Sequence, residues 1–300
     1  MVTLLPPRAS YFVCFSPRSG STLLCEALGE TDIAGRPREY LPDEFPPREI
    51  GITRHDAAWR QDWYTQPLSD SVNRMFEYGT TPNGIFGAKV LTSNLRYLER
   101  ALGADPGLQP LAFPQQLMKT FPNLRYIWTT RRDKVRQAVS YFKACQSNTF
   151  IVRSGEEPEA RPLAFNFQLI DTYLRAIIRD EEAWAEYFIS AGIVPCTVIY
   201  EDLIIDYEGT VRRVLEYLGI SLPDSYRFPS PSLKRQADAL SDEWTERYQA
   251  IVTRRHGRER IINLARLLRS QSLRDAFVTP RLRDERARLR QAAVHLLRRP

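Results

Sequence analysis

Four short apolar runs, Tyr11–Phe15, Ile85–Leu91, Leu124–Thr129 and Val194–Tyr200, are separated by stretches whose apolar residues recur with helical period. Strands this short cannot close a core among themselves, and parallel neighbours need a crossover of a dozen or more residues. The alternation therefore predicts an α/β fold, a three-layer sandwich with a central, mainly parallel sheet flanked by helices. Each run reads as a central strand of that sheet.

Val135, Ala138, Val139 and Phe142 fall at i, i+3, i+4 and i+7, and Val211, Val214, Leu215 and Leu218 repeat the pattern. Both segments are expected as crossover helices with one stripe on the sheet. A longer helix from about Leu163 to Ser190 carries Phe167, Ile170, Leu174, Ile177, Ile178, Trp184 and Phe188 on a broad apolar face. The proline-containing stretch Ser221–Ala239 reads as an ordered loop, after which Ser241, a good N-cap, opens another helix with Glu243 and Trp244. Residues 1–250 are expected to form the main domain and 251–300 an Arg-rich helical C-terminal extension.

The net charge of +6 is unevenly placed. The last 50 residues hold 14 Arg against 4 acidic residues, a surplus of +10 that leaves the first 250 at −4. Such a tail fits a partner helix, a dimer element or a weak contact with an anionic membrane surface. Cys14, Cys25, Cys145 and Cys196 are too scattered for a metal cluster or a disulfide framework, and buried free thiols are expected. The N-terminal residues lack a signal-like apolar stretch and no segment approaches the ~20 apolar residues of a membrane span, so a soluble, cytoplasmic protein is expected.

Chemistry concentrates first in Phe15-Ser16-Pro17-Arg18-Ser19-Gly20-Ser21-Thr22-Leu23-Leu24, a small polar loop leaving a strand and entering a helix. Backbone N–H groups at the helix start, with Gly20 permitting close approach, make a cradle for an anion. Arg18, Ser19, Ser21 and Thr22 add side-chain donors. The loop is not a nucleotide-triphosphatase P-loop, which would need lysine at Ser21 and glycine at Phe15. The strand Leu124–Thr129 also runs into Thr130-Arg131-Arg132 where such an enzyme usually offers Asp for magnesium. Fixed arginine and hydroxyl donors in place of a metal suit a sulfo group, which carries less charge than a phosphoryl group, so no metal is expected.

A second anion site is expected from Arg131 and Arg132 at the strand end together with Arg136, Ser140 and Lys143, which share one helix face away from the apolar stripe. An arginine at a strand end followed eight or nine residues later by a helical serine resembles the 3'-phosphate signature of sulfotransferases. The SPRSGSTLL loop is similar to their 5'-phosphosulfate loop, and Tyr200-Glu201-Asp202-Leu203, ending the last strand, is a further likeness. More narrowly, the chain resembles the bacterial trehalose 2-sulfotransferase family. RSGSTLL, Gly35-x-Pro37-x-Glu39, Thr81-Pro82-Asn83-Gly84 with Gly87-x-Lys89, Gln137-Ala138-Val139-Ser140, and Arg235-Gln236-Ala237-Asp238 with Ser241-Asp242-Glu243-Trp244 follow its pattern in order.

The resemblance implies the sulfotransferase version of the P-loop-like fold and transfer of a sulfo group from 3'-phosphoadenylyl sulfate (PAPS) to a hydroxyl of a carbohydrate or glycolipid. It implies that Ser140 and one of Arg131 and Arg132 hold the 3'-phosphate. The general spacing favours Arg132, and the narrower family pattern favours Arg131. Lys234, Arg235 and Gln236 would belong to a loop covering the nucleotide. Glu39 occupies the position of the family's catalytic carboxylate, with Arg18 and Lys89 stabilising the sulfuryl and leaving-group oxygens. His55, His256 and His295 have no supporting context for that role. The acceptor side would be lined by Arg36, Arg38, Glu39 and Tyr40. Arg36 stands where the trehalose enzyme has an acidic sugar contact, which points to an acceptor bearing an anionic group. Tyr40 and Trp63 suit either sugar stacking or packing. The family implies a homodimer. Two rival readings are a kinase-like phosphotransferase using ATP and magnesium, and a non-catalytic anion or nucleic-acid binder working through the tail; nucleic acid is not the expected partner.

Overall fold

The computed structural model describes residues 6–41, 68–157, 161–233 and 238–254. Trp63, Lys234, Arg235, Gln236, the three histidines and the chain beyond 254 lie outside the described residues. The elements run β1 (Ala9–Phe15), α1 (Ser21–Gly29), α2 (Leu68–Gly79), β2 (Ile85–Val90), α3 (Thr92–Gly103), α4 (Phe113–Thr120), β3 (Arg125–Thr130), α5 (Lys134–Ser147), α6 (Phe167–Ser190), β4 (Cys196–Ile199), α7 (Tyr200–Ile205) and α8 (Tyr207–Leu218), followed by a helix over 239–254, α9.

The strands form one parallel sheet in the order β2-β1-β3-β4. Only β1 and β3 are central, so the expectation of four central strands is corrected. The runs at Ile85 and Val194 looked central because both are apolar, but for different reasons. Every residue of β2 is buried, since the segment carrying Arg38 bridges to Ala88 along its outer edge. In β4 only Val198 is buried, and Val194 lies outside the strand, exposed.

Alternation along the strands builds two cores. Phe12, Cys14, Phe86, Ala88, Tyr126 and Trp128 face Met75 and Phe76 of α2, Leu95 and Leu98 of α3, and Trp184 and Phe188 of α6. Tyr11, Val13, Ile85, Ile127 and Val198 face Leu24 and Leu28 of α1 and Val211, Val214 and Leu215 of α8. The three-layer expectation and the α8 stripe agree with this packing. α5 differs: its Ala138, Val139 and Phe142 pack on Ile170, Tyr173 and Ile177 of α6 and on Trp244 and Tyr248 of α9, not on the sheet.

Three boundaries shift for local reasons. α6 starts at Phe167 because the Asn166 side chain accepts from the Leu169 N–H. Asp238, not Ser241, caps α9, accepting from the Ser241 N–H at 2.9 Å. Tyr200-Glu201-Asp202-Leu203 is the first turn of α7, since β4 ends at Ile199. All four cysteines are free, with Cys14 and Cys25 buried and Cys145 and Cys196 partly so. Among the described residues no helix is long and apolar enough to cross a membrane.

Candidate active site

In an open parallel sheet, loops after adjacent strands diverge where the crossover direction reverses, and ligands bind outside the carboxyl ends there. Here the reversal falls at β1 and β3, whose C-terminal ends lead into the 16–20 loop and into Arg131. Gly20 occupies the N-cap position of α1 at φ 85°, with no side chain capping the helix, so the first-turn amides are left to the loop side. A Cβ on Gly20 would stand 2.6 Å from Cδ2 of Tyr200, so the loop closes onto that ring only because glycine is there.

Arg18, itself at φ 65°, turns its guanidinium toward α5. Its Nε donates to Ser140 Oγ at 3.0 Å, and another of its nitrogens donates to the Phe150 carbonyl. Two residues expected to grip opposite ends of one ligand therefore meet. Burial, and then the nearby Arg131, lower the Arg18 pKa to about 10. Burial likewise lowers that of Arg131. Two desolvated cations facing each other make a place where an anion is favoured.

Arg131 is 8% exposed, stacks its guanidinium 4.7 Å over the Tyr200 ring, and lies 3.7 Å from Glu201. Its Nε is buried with no hydrogen-bond partner. Arg132 behaves differently. It forms a bidentate pair with Asp202, both bonds 2.8 Å, at a half-exposed position. Of the helix face expected to surround the second anion, only Ser140 reaches the loop. Arg136 pairs with Asp242, and Lys143 with Asp238 and Ser241, so these two cations clasp the start of α9.

On the other flank Lys89 joins Glu39 to the loop: its Nζ lies 2.8 Å from Glu39 Oε1, 3.1 Å from Thr22 Oγ1, and 4.1 Å from the centre of the Phe15 ring. The family-like motifs explain this register. Gly35 packs where a Cβ would stand 2.7 Å from the Gly87 nitrogen, and its N–H donates to Thr81 Oγ1. Asn83 reaches the Ile33 carbonyl, and the Lys89 N–H donates to the Arg38 carbonyl at 2.8 Å. The chain from 33 to 39 is thus pinned along β2, delivering Glu39 beside Lys89.

Several expected ligand contacts lie elsewhere. The Ser19 hydroxyl is buried against Thr129 at 3.0 Å, and Ser21 is also buried. Arg36 donates to the Thr80 carbonyl at 3.1 Å and lies 3.8 Å from Asp32, so it is already tied to protein groups. Tyr40 is 2% exposed, packs on Phe86 and donates to the Arg36 carbonyl, so it is core and not a stacking platform. Arg38 remains exposed beside Glu39.

Sequence reasoning missed Glu181, which is fully buried under the loop and accepts from Lys134 at 2.6 Å, Thr130 at 3.0 Å and Ser16 at 3.2 Å. The signal was present: Glu181 stands four residues after Ile177 and three before Trp184, in the middle of an apolar stripe. Among the described residues no group of three or more His, Cys, Asp or Glu side chains could hold a metal ion.

The model of the family Stf0 sulphotransferase matches residues 10–251. The chain belongs to the Stf0 sulphotransferase family. It is 32% identical over 263 residues to a trehalose 2-sulfotransferase of Mycolicibacterium smegmatis, covering 80% of this chain and 94% of that one. A trehalose 2-sulfotransferase of Mycobacterium tuberculosis is 29% identical, with 81% and 96% covered. Among solved structures, a sulfotransferase from Alicyclobacillus acidocaldarius is similar at 17% identity and a TM-score of 0.46, covering 83% of this chain and 96% of that one. As an Stf0 member the chain is a sulfotransferase, drawing on a sulfo donor.

Proposed function

We propose that this sulfotransferase takes its sulfo group from PAPS and delivers it to a hydroxyl of a carbohydrate or glycolipid. The observation that carries the donor reading is the 3.0 Å contact between Arg18 of the loop and Ser140 of α5, which puts two anion-binding elements side by side. The site fits such a donor on two further grounds. The buried Arg131 Nε, 3.7 Å from Glu201, has no hydrogen-bond partner, and the first-turn amides of α1 have no side-chain cap.

When bound, the donor supplies an activated sulfur whose bond to the 5'-phosphate oxygen breaks as the acceptor oxygen bonds to it. In this reading Glu39 removes the proton of the acceptor hydroxyl, work for which a placed base typically contributes about 10² to 10⁴ in rate. Lys89, touching both Glu39 and Thr22, spans from the base to the loop and offsets negative charge on the leaving oxygen. Arg18 and the α1 amides hold the phosphosulfate, and Arg131 with Ser140 holds the 3'-phosphate. Arg131 is preferred over Arg132 because Asp202 already holds both arms of the latter.

The names of the two relatives support a carbohydrate acceptor. An anionic group on it rests on Arg38 alone, since Arg36 is tied to Thr80. The test is incubation with isotope-labelled PAPS and a glycolipid extract, with products resolved by mass spectrometry. Labelled sulfated glycan formed in the presence of a chelator is expected; a requirement for ATP and magnesium would overturn the reading.

A further inference from the structure

Beneath the loop, shielded from solvent, runs a chain of hydrogen bonds that the transfer chemistry itself does not use. Gln137 is 0% exposed, and its Nε2 donates to the Pro17 carbonyl at 2.7 Å and to Ser16 Oγ at 3.0 Å. Ser16 donates onward to Glu181, which accepts also from Lys134 and Thr130. The orientation of the amide is dictated, because a carbonyl only accepts and Nε2 must therefore face Pro17. Oε1 is then left buried with no hydrogen-bond partner, an arrangement an apolar side chain would avoid.

Two geometric consequences follow. In a trans peptide the C=O and N–H point to opposite sides, so tying the Pro17 carbonyl to α5 aims the Arg18 N–H the other way. Gln137 also sits three residues before Ser140 on one rigid helix. The amide that sets the loop is thereby held at a fixed spacing from the hydroxyl that meets Arg18.

We propose that Gln137 is a positioning residue that locks the phosphosulfate loop to α5, so that both ends of the donor are gripped by one rigid body, with Glu181 and Lys134 anchoring it through Ser16. This rests on the donor reading above. It differs from a packing role in what it predicts: loss of Gln137 leaves the pockets present but misaimed.

The test uses Gln137→Leu, of similar volume without the donors, and Ser16→Ala, a smaller change in the same chain of bonds. Calorimetry gives the Kd for adenosine 3',5'-bisphosphate, and steady-state assays give kcat and KM for PAPS with the acceptor extract. Gln137→Leu is expected to keep Kd within about 3-fold while kcat falls about 10²-fold, the cost of a small misplacement of reacting groups. Ser16→Ala should show the same kcat-selective loss at about 5- to 10-fold, and decides the matter alone if Gln137→Leu does not fold. Equal losses in Kd and kcat, or an unchanged kcat in Ser16→Ala, would overturn the proposal. A wild-type chain that neither binds the bisphosphate nor transfers sulfate overturns the donor reading as well, so the two failures are told apart.

Discussion

Lys89 and Glu39 form an ion pair of 2.8 Å whose lysine is 10% exposed at its side chain, and the same ammonium reaches Thr22 of the loop. Glu39, Lys89 and the first turn of α1 are therefore one contiguous group, and removing the carboxylate tests the proposed role of Glu39 as the base.

Glu39→Gln keeps the shape and a hydrogen bond to Lys89 but cannot take a proton. Turnover should fall about 10²- to 10⁴-fold, with the Kd for adenosine 3',5'-bisphosphate within about 3-fold of wild type. Unchanged turnover would remove Glu39 from the mechanism.

Arg131→Ala and Arg132→Ala separate two neighbouring residues that the sequence left equivalent. A buried charge-assisted contact is worth about 1.5 to 3 kcal/mol, so Arg131→Ala should weaken bisphosphate binding about 10- to 100-fold. Arg132 makes a half-exposed pair, and its loss should alter stability by at most about 1 kcal/mol with affinity nearly unchanged. Titration calorimetry on both variants reads the difference.

Gly20→Ala would place a Cβ 2.6 Å from the Tyr200 ring at φ 85°. A loss of about 1 to 3 kcal/mol in unfolding free energy is expected, with weaker donor binding. Gly29→Ala, where nothing lies within 4 Å, is the control and should be neutral or slightly stabilising in the same denaturation assay.

Burial, opposed by a hydrogen bond from Thr92 and reinforced by Glu181, raises the Asp180 pKa to about 6. An unfolded aspartate titrates near 3.9, at about pH 4. Between those values the folded chain holds a proton that the unfolded chain has released, so this group's contribution to stability falls as pH rises from about 4 to about 6. Asp180→Asn should therefore gain on wild type at neutral pH and converge with it near pH 4. Urea unfolding at the two pH values checks the sign.

Strand positions and the loop at Arg18 were legible because periodicity and glycine chemistry act locally. Partners were not. Arg136 and Lys143 share a helix face with Ser140, as the spacing implies, yet they pair with Asp242 and Asp238, about a hundred residues on. Helical period identifies a face, whereas tertiary contacts decide what the face meets. Ser19 and Tyr40 show the same limit: a hydroxyl or a ring in a motif reads as available until a neighbour such as Thr129 or Phe86 is known to meet it. The apolar stripe of α5 was clear, but whether it met sheet or helix depended on α6 and α9.

The single rung between the Lys89 N–H and the Arg38 carbonyl carries a lesson for redesign. It fastens the residue next to Glu39 through main chain alone, independent of which side chains flank it. Under the proposed mechanism, exchanging Arg38 to suit a new sugar should then leave Glu39 in place, so acceptor preference can be rewritten at this margin without rebuilding the donor half of the enzyme.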